Sequence, residues 1–118
     1  MSLANNDNSA EFLSRVRALI QGPQSWCKRQ FAKNDKGEPV DPRGRNAVMF
    51  CLSGACLKEY QGSNARYANK EIAETLRSRG EFGGSVVMFN DAEYTTHKDV
   101  LNLLDETLFR VKQMNANL

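Results

Sequence analysis

With 118 residues and 41% hydrophobic content, the chain is long enough to close one core and too short for two domains. Sixteen basic against fourteen acidic residues leave a formal charge of +2, which by itself implies neither a nucleic-acid nor a membrane partner. No apolar run approaches the roughly 18 residues that span a bilayer. Three cysteines, an odd number, without a basic-then-apolar leader argue against a secreted disulfide framework, so a cytoplasmic setting is expected.

The opening MSLANNDNSA is polar, and residues 1–8 are expected to form a mobile head to a single globular domain over 9–114, with 115–118 as a frayed tail. Asn8 or Ser9 is placed to cap a first helix whose stripe is Phe12, Leu13, Val16, Leu19 and Ile20. Gly22, as a left-handed cap, and Pro23 should stop it. From Ser25 to Val40 the pattern changes: Cys27 and Phe31 alternate with polar neighbours, and Asn34, Asp35 and Gly37 supply turn chemistry. A short strand and turn, or a hairpin returning through Glu38 to Val40, is predicted, with Pro39 on an edge. Asp41-Pro42-Arg43-Gly44 reads as a further turn.

Eleven consecutive residues, Ala47 to Leu57, are apolar or small except for Ser53, and Asn46 to Tyr60 is therefore predicted to be a buried central helix. Its small side, Ala47, Cys51, Gly54 and Ala55, would admit another helix, and Met49, Phe50, Leu57 and Tyr60 would fill the core. Gln61-Gly62 breaks the chain, and Ser63 or Asn64 caps a third helix with Ala65, Ala68, Ile72 and Leu76 inward, Arg77 and Arg79 at its negative end, and Gly80 as terminator. After a Gly83-Gly84 hinge, Val86 to Phe89 is a buried strand or extended core segment. Thr96 and Asp99 form a capping box for the last helix, whose stripe is Val100, Leu101, Leu104, Leu108 and Val111. The fold class is thus mainly α: four helices around a buried central one, with a small β element between the first two.

Candidate chemistry is sparse. Cys27, Cys51, Cys56 and His97 total a zinc ligand set, but a five-residue spacing on a helix turns Cys51 and Cys56 about 140° apart, so no metal is expected. A thiol-dependent enzyme would pair Cys27 or Cys51 with His97, oriented by Asn90 or Asp91. An apolar helix suppresses thiolate formation, however, and a helix start disfavours the charged imidazole. The stretch 28–45 holds six bases, Lys28, Arg29, Lys33, Lys36, Arg43 and Arg45, against three acids. Without a reading motif it is disfavoured as a nucleic-acid strip and reads as a solvated face. Trp26 with Cys27, and Asn90 with Asp91, are the candidate binding residues: an indole supplies apolar area and one donor, and short polar side chains between two anchored elements can direct a ligand. The competing reading makes Trp26 a core aromatic and Asn90-Asp91 a turn.

Five segments, Trp26-Cys27, Asp35-x-Gly37-x-x-Val40, Cys51-x-x-Gly54-Ala55, Asn90-Asp91 and Thr96-x-x-Asp99-Val100, together resemble a family of short uncharacterised bacterial and phage proteins, a domain of unknown function. The resemblance runs from about Trp26 to Val111. Phe50 and Phe89 stand where the family pattern tends to have tryptophan, and the family does not depend on a histidine at the place of His97, which weakens the dyad idea. The resemblance implies no activity. The expected function is a bacterial or phage cytosolic module binding a protein or small molecule, more binding than catalysis, with no cofactor.

Overall fold

Three long helices carry the core: α1 (Ser2–Leu19), α3 (Asn64–Arg79) and α5 (His97–Ala116) pack against one another in a computed structural model that describes residues 2–60 and 64–116. Phe12, Leu13 and Val16 of α1, with Ile20 just after it, are wholly buried, while Leu19 is only partly so, and they meet Ala68, Ile72 and Leu76 from α3 and Val100, Leu103, Leu104, Leu108 and Val111 from α5 in one cluster. Burying a Leu, Ile, Val or Phe side chain contributes about 1.5–3 kcal/mol, so these stripes dominate the stability of the fold. A buried polar seam crosses the α3–α5 contact: the Thr107 hydroxyl donates to Thr75 Oγ1 at 3.0 Å, and the Arg110 guanidinium to the same oxygen at 2.9 Å.

The ends of these helices follow from local chemistry. Thr96 Oγ1 accepts from the Asp99 amide at 3.1 Å while Asp99 Oδ2 accepts from the Thr96 amide at 2.9 Å, the reciprocal pair expected of a capping box. Helix α3 stops at Gly80, whose φ of 71° only glycine adopts freely. The Gly80 amide donates to the Arg77 carbonyl, and the Glu81 amide reaches back to that of Leu76. Two endings differ from expectation. Helix α1 is continuous from Ser2 and needs no cap at Asn8 or Ser9; Ser9 is instead buried beside the core. Gly22 has φ −85° and ψ 142°, extended rather than left-handed, and leads into a 3-10 turn at Pro23–Ser25. The break at Gln61-Gly62 and the cap at Ser63 fall outside the described residues, as does the side chain of Ala65.

The second layer corrects the central helix. Met49–Phe50 is strand β2, and only Leu52–Lys58 is helical, as α2. The division is set at Cys51, which is extended (φ −75°, ψ 173°) and whose sulfur accepts from the Gly54 amide at 3.2 Å as an N-cap. Strand β1 (Ala32–Lys33) pairs antiparallel with β2, Ala32 opposite Phe50 and Lys33 opposite Met49. The expected return through Glu38 to Val40 is reduced to a single bridge between Lys33 and Pro39, closed by the turn in which Asn34 Oδ1 accepts from the Lys36 and Glu38 amides. Gly54 does take a close neighbour, but it is not a helix: a Cβ there would stand 1.8 Å from the Phe31 carbonyl oxygen. Phe50 is buried as expected, whereas Leu57 and Tyr60 face outward. Val86–Phe89 is not a strand: it begins α4 (Val86–Asp91), capped by Ser85 Oγ accepting from the Met88 amide at 3.2 Å. There are accordingly five helices rather than four among the described residues.

Candidate functional site

Trp26, Cys27, Asn90 and Asp91 come together, and the element that gathers them is the last turn of α4. Asn90 has no exposed surface, and each half of its amide is used. Its Oδ1 accepts from the Trp26 indole at 2.7 Å and from the Leu52 amide at 3.0 Å, and its Nδ2 donates to the Cys27 carbonyl at 3.1 Å and to Asp91 Oδ1 at 3.0 Å. One side chain thus ties the chain after α1, the first residue of α2 and the end of α4. Asp91 Oδ1 also accepts from the Arg29 amide at 2.9 Å, and Lys28 Nζ donates to the Ala92 and Glu93 carbonyls at 2.6 and 3.2 Å, completing the negative end of α4. Sequence reasoning placed Asn90 and Asp91 in a loop between anchored elements; they are the final residues of a helix, and Asn90 is closed to solvent.

The product of this knot is the position of the 28–31 loop. Arg29 is held at φ 71°, a left-handed backbone that costs a side-chain-bearing residue about 1–2 kcal/mol and persists because Asp91 grips its amide. Pairing of Ala32 and Lys33 with β2 then seats Phe31 beside α2, its carbonyl accepting from the Cys51 amide at 3.2 Å and lying against Gly54.

Phe31 there forms one wall of an apolar groove of about 420 Å³, lined also by Ser53, Cys56, Leu57, Tyr60, Asn69 and Val87. Phe31, Leu57, Tyr60 and Val87 are 50, 41, 46 and 42% exposed, four large hydrophobic side chains on one surface. A smaller depression of about 170 Å³ shares Phe31 and Val87 and adds Arg29, Gln30, Cys51 and Asp91. Sequence reasoning missed the groove because it assigned Leu57 and Tyr60 to the core. The available signal was Leu57-Lys58-Glu59-Tyr60: two charges in a row mark that turn as the outer face. A third hollow, of about 330 Å³, lies between Phe82, Tyr94, Asp99 and Arg79, but the Arg79 guanidinium is already committed to Glu106.

The thiols are arranged for burial. Desolvation pushes Cys27 up to about 11, with Cys51 adding to it, and Cys56 up to about 12; Cys51 is likewise raised, chiefly by burial. Cys27 Sγ lies 3.6 Å from the Gln30 carbonyl, and Cys51 Sγ is the α2 cap. His97 Nε2 bonds the Ile20 carbonyl at 2.7 Å, and its ring lies 5.8 Å from that of Trp26. Among the described residues no hydrogen bond joins His97 to a cysteine, and no group of three or more His, Cys, Asp or Glu is placed to hold a metal ion. None of the described helices is long and apolar enough to cross a membrane.

A family model described as a family of unknown function (DUF6197) matches residues 4–110. No curated protein and no solved structure matches the chain.

Proposed function

We propose, for a chain that belongs to this family of unknown function, that it is a protein-binding module whose recognition surface is the groove between Phe31, Leu57, Tyr60 and Val87. The observation that carries this reading is the convergence of four large, roughly half-exposed hydrophobic side chains from three separate segments on one concavity. Solvating such a patch costs free energy that a partner's apolar side chains recover, and patches of this kind mark interaction sites. Trp26, Cys27 and Asn90 act in this reading as scaffold: they fix the loop that ends in Phe31, and Asp91 borders the adjoining depression. A rigid wall lowers the ordering cost of binding.

A thiol-dependent reaction with Cys27 or Cys51 and His97 is the weaker reading, since a thiol raised to about 11 is almost wholly protonated at neutral pH and His97 is bonded elsewhere. A nucleic-acid strip over 28–45 is weaker still, because Lys28 is turned inward onto the end of α4. The bacterial or phage cytosolic setting is part of the proposal. The test compares partner capture by the parent with capture by Leu57→Lys and Val87→Lys, both at exposed positions. A partner lost from both variants, and binding them at least about tenfold more weakly when purified, supports the groove. Equal capture and affinity for all three proteins would remove it.

A further inference from the structure

The groove is apolar at its centre but not electrically neutral at its margins. Arg29 lines the adjoining depression, beyond the wall made by Phe31 and Val87, and the Arg43 guanidinium lies 5.7 Å from the ring centroid of Tyr60 on that residue's side. Neither guanidinium makes an ion pair or a side-chain hydrogen bond among the described residues, in contrast to Arg15, Arg17, Arg77 and Arg79, each of which faces a carboxylate. Three acids of this neighbourhood bond other groups, although Asp91 itself lines the depression together with Arg29. Asp91 Oδ1 is bonded to the Arg29 amide and to Asn90, Asp41 Oδ1 to the Arg43 amide, and Glu59 lies against Arg15.

Two exposed arginines therefore flank a hydrophobic concavity, and the backbone of each is fixed by a carboxylate that accepts from its amide, Asp91 for Arg29 and Asp41 for Arg43, while the guanidiniums make no ion pair among the described residues. Guanidinium groups over apolar and aromatic surface are weakly hydrated and bind carboxylates in bidentate fashion. Resting on the reading of the groove as a protein-binding surface, we propose that the segment it takes is acidic and apolar together. Its hydrophobic side chains enter between Phe31, Leu57, Tyr60 and Val87, and its carboxylates meet Arg29 and Arg43. A basic segment is rejected, because its charges would face these two guanidiniums.

The experiment uses two short synthetic peptides with the same Leu and Phe residues, flanked by Glu in one and by Lys in the other, each titrated against the full chain by fluorescence anisotropy. The Glu peptide should bind at least about tenfold more tightly than the Lys peptide, the preference should collapse in Arg29→Gln/Arg43→Gln, and both peptides should be lost with Leu57→Lys/Val87→Lys. Equal binding of the two peptides through the groove overturns the acidic preference and leaves the docking reading standing. A preference that survives the double glutamine variant places the selecting charge elsewhere and also overturns it. Binding of neither peptide, or binding unaffected by the Leu57 and Val87 substitutions, removes the groove itself and the inference with it.

Discussion

Replacing Asn90 by alanine tests the knot at its centre. The substitution removes the acceptor for the Leu52 amide, a group at the start of α2 inside the core, and the donor to the Cys27 carbonyl, and it releases the Trp26 indole. A buried backbone group left without a partner costs about 1–3 kcal/mol, and two are orphaned here, so a loss of about 3–5 kcal/mol is expected once partial relaxation is allowed for. For a chain of this length that corresponds to a fall in Tm of roughly 12–20 °C. Trp26 is the sole tryptophan, so its emission reports the site directly: loss of the 2.7 Å bond and entry of water should shift it to the red in the folded state. Thermal and urea unfolding followed by tryptophan fluorescence and by far-ultraviolet circular dichroism give both quantities. Asn90→Asp is the sharper control. It keeps an acceptor for Trp26 and Leu52 but turns a second oxygen toward Cys27 and Asp91, so relative to the parent it should be more damaging at pH 7 than at pH 5, where a buried carboxyl beside another can take up a proton and donate. An Asn90→Ala protein that melts within about 1 kcal/mol of the parent with unshifted emission would refute this account of how the 28–31 loop is held.

Other perturbations probe the remaining elements. Gly54→Ala puts a methyl 1.8 Å from the Phe31 carbonyl oxygen, so it should cost about 3 kcal/mol or more and displace β1; denaturant unfolding measures it. Thr96→Ala breaks the reciprocal cap of α5 and should lower stability by about 1 kcal/mol, read by the same titration. The thiols, whose folded values lie above the ordinary 9.0, contribute stability that is full below pH 9 and is lost as pH rises toward 11, because the unfolded chain releases those protons first. Replacing Cys27 and Cys56 by alanine should flatten the alkaline decline, and in the native parent a disulfide reagent should label no faster than the chain opens.

The sequence made the three long helices readable because their apolar stripes are regular and their ends carry specific chemistry, as at Thr96-x-x-Asp99 and Gly80. What escaped is where one apolar run changes state. Ala47 to Leu57 has no periodicity that separates strand from helix, and the boundary is set by a cysteine acting as cap, a role usually filled by Ser, Thr, Asp or Asn. The same holds for Val86 to Phe89, where Ser85 caps a helix too short to show a stripe. The structure brings the four candidate site residues together, but the burial of Asn90 was not legible: an Asn-Asp pair reads as a turn unless one knows that an indole, an amide and a carbonyl from 38 to 64 positions away converge on it.

The pairing of α1 with α5 sets an order on the birth of the molecule. A nascent chain that has emerged as far as Arg79 carries Phe12, Leu13, Val16 and Ile20 already arrayed on a helix, yet the face supplied by Val100 to Val111 is still being synthesised, as is Asn90. Until then the first helix has only α2 and α3 to lean on, and the loop that presents Phe31, although β1 can already pair with β2, lacks the hold of Asn90 and Asp91. Assembly is therefore a late, largely all-or-none event governed by contacts of long sequence separation, and ribosome-bound intermediates of this chain should be substrates for chaperones that hold exposed amphipathic helices.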